Sequence, residues 1–404
     1  MTIWGYRLTS GELSGAFADL GVLIPLETSL IALNGLNPTT TLVGIGVIYV
    51  AAGLYFGIPM PVQPLKAFSA IAIATAAPPD VIAAGALTIG LIMGILALVG
   101  LVDWLHRATP LPVVRGIQLG LGLILVRTGW ELIVVKPLLL NGFQVTLDLA
   151  GTELPLGLVL GLLGTGLLIV LLRQRRVPAA VVLLGAGLAV GVAVAAQQGP
   201  WDFAVGPAAP SFPQLKASDF ALALGLLVVP QLPLSLANSI ISTVDVAREY
   251  FGAQARKVTP RRVAFAYALA NLWAGLAGGL PTCHGAGGLT AHYRLGARTP
   301  LATCIIGSTL IAVGLLFGQS ALAIRNLVPS AIFGVLLLYV GWEHLRLGLN
   351  VPRRRDLAEV AMVGTVSILA GGNLAVGALV GLAGHWGLRH LIPAKPAPAS
   401  SRDM

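Results

Sequence analysis

The sequence predicts an all-α integral membrane protein of about 14 transmembrane elements in a seven-plus-seven inverted repeat, its third and tenth elements being half-helices. Three observations carry this. Of the 404 residues, 56% are hydrophobic and only 10% charged, with a mean hydropathy of +0.88; that is too little charge to cover a soluble domain of this size. Apolar segments of spanning length recur from Ala16 to Leu391. Two Gly/Pro-interrupted segments fall at corresponding places in the two halves, the pattern that marks inverted-repeat carriers with a binding site at the midplane.

In the first half, helices are expected near 15–33, 39–56, 80–102, 111–127, 155–172 and 178–196. In the second they are expected near 220–243, 261–278, 300–317, 327–344, 357–370 and 373–391. Pro64 to Ala77 and Gly285 to Tyr293 are too short to cross alone, and they follow GIPMPVQ (57–63) and GGLPTCH (278–284). Residues 128–152 read as an amphipathic or peripheral connection. A weaker echo of the repeat is Gly129-Trp130-Glu131 against Gly341-Trp342-Glu343, with Pro112 and Pro329 each preceding the span. The expected units are a first repeat over 1–197, a second over 198–391 and a disordered cytoplasmic tail over 392–404, which is rich in Pro, Ala and Ser.

Charge tests the element count. With the N-terminus inside, alternate loops place 20 of the 25 Lys and Arg on the inner side, among them the clusters Arg173 to Arg176, Arg256 to Arg262 and Arg353 to Arg355. The outer side receives Arg127, Lys136, Lys216 and Arg325, and Lys66 falls within a membrane element. Both termini are therefore expected in the cytoplasm of an inner-membrane, multi-pass protein. The net charge of +9 is a topology signal, not a nucleic-acid footprint, because the basic residues sit in short loops. Residues Met1 to Glu12 lack the basic and apolar regions of a cleavable signal peptide. Cys283 and Cys304, in apolar or Gly-rich surroundings, are expected as reduced, buried thiols.

In Pro59 to Lys66, three prolines alternate with other residues before a helix-compatible run. Extended backbone at membrane depth follows, and it is tolerated only where it is buried in protein or lines a polar cavity. Pro64 suits a first helical turn, leaving free N–H groups near Leu65 and Lys66 and a positive dipole end, which together suit an anion. Lys66 in that turn calls for compensating negative charge, either a bound anion or Asp19; the structural alternative is a lysine snorkelling to an interface. Residues Gly278 to Thr290 repeat the grammar with glycine, which leaves amides such as those of Ala286 and Gly287 unshielded. Gln63, Thr282 and His284 could add side-chain donors. One Cys and one His are too few for a zinc site, so no metal, no cofactor and no catalytic residue are expected.

Intramembrane carboxylates are costly and functional by default. Asp19, beside Gly21 and Pro25, is the candidate for pairing Lys66 or carrying a coupling proton, whereas Glu27, two turns on, is expected to reach the outer interface. Gln231, Ser235 and Asn238, at i, i+4 and i+7, form one polar stripe on the eighth span; it faces either a cavity, making Gln231 and Asn238 further substrate candidates, or a neighbouring helix.

PMPVQPLKA (59–67) and CHGAGGLTAHYRLGAR (283–298) resemble the two signature motifs of the MOT-type molybdate transporter family, a branch related to the SulP sulfate permeases. GELSGAFADLGVLIPL (11–26) and VVPQLPLSLANSIIS (228–242) are similar to it as well, so the resemblance covers most of the chain. It implies core and gate subdomains and molybdate as substrate, with sulfate and tungstate as related oxyanions. The chain departs from the pattern at Phe17-Ala18-Asp19, where a Gly is expected before the Asp, and no STAS domain is expected after the last span. The expected function is secondary active oxyanion transport by alternating access, in contact with lipid and with no nucleic acid. The coupling ion is expected to be a proton, and a homodimer is left open. The alternatives are a same-fold carrier of bicarbonate or a nucleobase, and a membrane-embedded enzyme using His284 and Cys283. No acidic residue in either motif suits a nucleobase edge, and no His/Asp/Glu cluster accompanies the Cys/His pair.

Overall fold

The computed structural model describes residues 2–3, 6–102, 104, 110–139, 146–149, 152–174, 179–195, 204–351 and 354–391. The expected tail at 392–404 lies outside the described residues. The first broken helix comprises α1 (Ser10–Ala16) and α2 (Leu20–Asn34). They are followed by α3 (Pro38–Phe56), α4 (Lys66–Ala74), α5 (Pro79–Val99), α6 (Leu111–Val134), α7 (Leu156–Gln174) and α8 (Ala179–Ala195). The second half holds α9 (Ala217–Lys257), α10 (Pro260–Ala277), α11 (Ala286–Arg294), α12 (Leu301–Leu327), α13 (Ser330–Leu349), α14 (Arg354–Leu369) and α15 (Leu374–Leu391). Short strands pair as β1 (Thr2–Ile3) with β2 (Tyr6–Arg7), β3 (Gln63–Pro64) with β6 (Thr282–Cys283), and β4 (Thr146–Leu149) with β5 (Thr152–Pro155).

Seven described helices are long and apolar enough to cross a membrane, within α3, α5, α6, α7, α9, α12 and α13. Their outward faces carry large apolar side chains such as Leu91, Leu98 and Leu162, which suit lipid. Three departures from the sequence reading have local causes. The first helix leaves α geometry at Phe17 to Asp19, where Ala18 and Leu20 make tight bonds three residues back to Gly15 and Phe17. Helix α6 runs on through Arg127 and Glu131, an i, i+4 pair at 2.9 Å that supports the helix instead of ending it; the connection expected at 128–152 is thus partly helix and partly the β4–β5 hairpin. Within α9, Pro230 and Pro233 lack amide hydrogens, and the turns at Leu224–Val228 and Ser235–Ile241 widen to π geometry.

The packing has a regular plan. Helix α6 packs along α13, α3 along α12, and α5 along α10, these being the three most extensive helix contacts. Glycines make them close: a Cβ on Gly46 would lie 2.5 Å from the Gly307 carbonyl oxygen, and one on Gly122 would lie 2.8 Å from that of Gly341. Gly129 in turn meets Gly334, so both copies of the Gly-Trp-Glu echo lie in the α6–α13 crossing. Their Trp130 and Trp342 side chains are exposed. Helices α3 and α10 both end on a left-handed glycine, Gly57 (φ 73°) and Gly278 (φ 70°). Only glycine adopts that conformation without strain, and it turns each chain back toward the strand that precedes a half-helix.

Candidate functional site

The two interrupted segments meet. Gln63 pairs with Cys283 and Pro64 with Thr282 in an antiparallel register, and the Leu65 amide donates to the Pro281 carbonyl at 3.1 Å. This crossing brings the N-termini of α4 and α11 together, two nine-residue helices whose first turns have extended residues, Leu65 and Gly285, at the cap position. Neither cap has a side-chain hydrogen bond. Among the described residues, the amides of Lys66, Ala67, Ala286, Gly287 and Gly288 have no protein acceptor, so two positive dipole ends converge on one place.

Each start is braced by the opposite half of the chain or by the preceding helix. Gln231 on α9 accepts the Phe68 amide at 3.0 Å and donates to Ser235, whose hydroxyl lies 2.8 Å from the Tyr267 hydroxyl on α10. Asn271 on α10 accepts the Thr282 amide at 3.1 Å and donates to the Thr282 carbonyl at 2.7 Å. The Thr243 hydroxyl donates to the His284 carbonyl. Asp19 is fully buried between them, accepting the Tyr49 hydroxyl at 2.9 Å and the Gln63 side-chain amide. The His292 Nε2 stands 4.0 Å from the Asp19 oxygen that accepts Tyr49.

The expected residues separate into groups. Gln63, Lys66, Thr282, Ala286 and Gly287 all lie at the paired starts. Thr282 Oγ1 and Ser69 Oγ are buried without a partner, and a Cβ on Gly287 would meet nothing within 4 Å. Lys66 is half-buried and within Coulombic reach of Cys283 and of His344 on α13. Asn238 is half-buried, and its side-chain nitrogen would lie 3.8 Å from a Cβ on Gly285. Leu65 departs from expectation because its amide is consumed by the strand crossing. Gln231 departs too: both ends of its amide brace protein groups. His284 turns its Nδ1 to the Pro61 carbonyl at 2.8 Å and its ring to an apolar cavity of about 460 Å³ between α3 and α10. Asp19 is bonded by Tyr49 and Gln63, and among the described residues Lys66 makes no ion pair with it. Glu27, expected at an interface, is instead buried with one oxygen unpartnered. Cys283 and Cys304 are buried free thiols, and among the described residues no cluster of His, Cys, Asp and Glu could hold a metal.

Sequence reasoning missed Tyr49, Asn271 and His292. An Asn within an apolar span, two turns before a Gly/Pro break, was the available signal for Asn271; His292 carried only the cost of a histidine in a membrane element.

A family profile described as "Molybdate transporter of MFS superfamily" matches residues 11–125 and 223–343. The chain is 31% identical to molybdate transporter 2 of Arabidopsis thaliana, over 91% of this chain and 85% of that one. It is 30% identical to molybdate transporter 1 of Chlamydomonas reinhardtii, over 94% of this chain and 91% of that one. Among solved structures, the transmembrane domain of a cyanobacterium bicarbonate transporter, BicA, shares the fold with a TM-score of 0.67 at 18% identity, covering 91% of this chain and 97% of that one. The murine solute carrier 26 family member A9 anion transporter in its inward-facing state also aligns with a TM-score of 0.67, at 15% identity, covering 96% of this chain and 69% of that one.

Proposed function

We propose, on the premise that the chain belongs to the molybdate transporter family, that it carries molybdate across the membrane as a secondary active transporter. The observation that carries the reading is the antiparallel crossing of β3 and β6, which sets two helix N-termini with unpaired amides against each other. A tetrahedral dianion there exchanges its hydration for amides of Lys66, Ala67, Ala286, Gly287 and Gly288, the Lys66 ammonium and the Thr282 hydroxyl. Sulfate and tungstate make the same donor demand. Lys66, unmatched by any carboxylate among the described residues, supplies net positive charge where the helix dipole alone would disfavour it.

The inverted repeat of 14 elements is supported by the packing. Counting α1 with α2 as the first element and each half-helix as one, a shift of seven exchanges the α3–α12 and α5–α10 contacts and maps α6–α13 and β3–β6 onto themselves. The repeats are then 1–197 and 198–391. Elements α1 to α5 with α9 to α12 form the core that holds both half-helices, and α6 to α8 with α13 to α15 form the gate against which it moves. Both termini lie in the cytoplasm, as the basic loops require. Cysteine labelling in intact cells should leave 353–355 protected from impermeant reagents added outside, and labelling from outside would reverse the topology. Asp19, buried beside the site, carries the coupling to a proton.

Proteoliposomes loaded and assayed with radiolabelled molybdate test the function. Uptake should be saturable, inhibited by sulfate and tungstate more than by bicarbonate, and enhanced by an imposed inward proton gradient. Uptake of bicarbonate with no competition from molybdate would replace the substrate assignment.

A further inference from the structure

The fixed hydrogen bond of His292 determines what its other nitrogen can do. Its Nδ1 lies 2.7 Å from the Gly15 carbonyl oxygen, which can only accept, so Nδ1 carries a hydrogen. In a neutral ring Nε2 is then a bare lone pair; it is fully buried, without a partner, and faces an Asp19 oxygen at 4.0 Å. Among the described residues, that oxygen receives the Tyr49 hydroxyl alone. Two acceptors thus face each other across a gap with no proton between them, which leaves a buried nitrogen unsatisfied and a buried carboxylate held by neutral donors alone. One added proton satisfies both, since Nε2–H then donates to Asp19 while Nδ1–H stays on Gly15.

The geometry points to the His292–Asp19 pair as the proton-binding site of the transport cycle, a role that deepens the transport reading above and rests on it. The proton bound at Nε2 closes the gap and draws α11 toward the α1–α2 break. That motion reaches the anion site through two contacts. Gln63, one residue before Pro64, is bonded to the other oxygen of the same carboxylate, and a Cβ on Gly288 in the first turn of α11 would lie 2.9 Å from that Gln63-bonded oxygen and 2.7 Å from the Gln63 nitrogen. A proton gained beside the paired helix starts also offsets part of a dianion's charge as both move.

The buried titratable groups around the pair are Glu27 on α2, within Coulombic reach of Tyr49, and Cys283, within Coulombic reach of both Asp19 and Lys66. From α3, Tyr49 presents its hydroxyl to Asp19 and its ring, edge-on at 6.5 Å, to His292. From α1, Glu12 turns one oxygen to the amides of Arg298 and Thr299. On α9, Asp245, Arg248 and Glu249 are exposed, and Tyr250 stacks on Tyr293. Arg294 and Arg298 are exposed, the latter over the Tyr293 ring.

Proteoliposomes holding a pH-sensitive dye, together with calorimetric molybdate titrations in buffers of different ionisation enthalpy, count protons moved and protons bound. The parent should take up about one proton with each molybdate. His292→Gln should make molybdate affinity independent of pH and lose both the proton signal and the response to an imposed pH gradient. Tyr49→Phe removes one donor from the carboxylate and leaves His292 in place; its uptake profile should move by about one unit to higher pH. A parent that moves no oxyanion overturns the transport reading and the coupling with it. A transporting parent whose proton stoichiometry and pH profile are unchanged in His292→Gln and in Tyr49→Phe overturns the assignment of the pair alone.

Discussion

The starts of α4 and α11 share a backbone plan but are braced by different chemistry. Over the third residue of α4 stands a neutral side chain, Gln231, which accepts the Phe68 amide and passes the bond on to Ser235 and Tyr267. Over the third residue of α11, Gly288, stands a carboxylate, Asp19, with a histidine behind it. Gln231 and Asp19 come from the first helices of the opposite halves of the chain. Gln231 holds the Phe68 amide directly, whereas Asp19 stands beside the Gly288 amide without accepting it and reaches the site through its bond to Gln63. The segments leading in differ in the same sense. Pro59, Pro61 and Pro64 stiffen the approach to α4, whereas Gly285 and Gly288 let the start of α11 approach Gln63 closely. A fixed start and an adjustable one, facing each other, are what a site needs if it is to bind and then let go.

The comparison breaks most completely at Gly288. A Cβ there would lie 2.7 Å from both Pro61 Cβ and the Gln63 nitrogen, so Gly288→Val should abolish binding and lower thermal stability in unfolding scans. Neighbouring Gly287 has open space and should tolerate the same change in stability assays. Next in size, Asp19→Asn should eliminate concentrative uptake in proteoliposomes while downhill exchange of molybdate persists, because the amide keeps volume and loses charge. Unchanged pH dependence and uptake rate in that variant would remove Asp19 from the mechanism. Smaller again, Gln231→Leu should cost about 1–3 kcal/mol of stability from the unpaired Phe68 amide and leave proton coupling intact. Chemical unfolding alongside a proton-flux assay separates the two effects.

Most of this architecture was legible in the sequence, because hydropathy sets span length and Gly/Pro interruptions mark where a helix cannot cross. Proline spacing alone placed the start of α4 within two residues. The meeting of the two interrupted segments was legible only from their corresponding places in the two halves. What stayed hidden were pairings across long separations: Asp19 with Gln63, Asn271 with Thr282, and Gly15 with His292, which is 277 positions away. Nothing in local spacing fixes where a buried polar side chain spends its hydrogen bonds. For the same reason the Leu65 amide reads as free and Gln231 as either a ligand or a helix contact, and tertiary packing decides both. The end of α6 was misjudged because Arg127 suggests an interface until Glu131, one turn on, pairs with it.

In the proposed site the oxyanion is held between the paired helix starts by amides, with Lys66 as the charge. Calorimetric titration of molybdate into the purified parent, Lys66→Ala and Gly287→Val tests it most directly. Lys66→Ala should weaken binding by more than the roughly 0.2–1 kcal/mol typical of an exposed ion pair, and Gly287→Val should block binding while the protein stays folded and monodisperse. Molybdate bound by both variants as tightly as by the parent would contradict the account and place the site elsewhere.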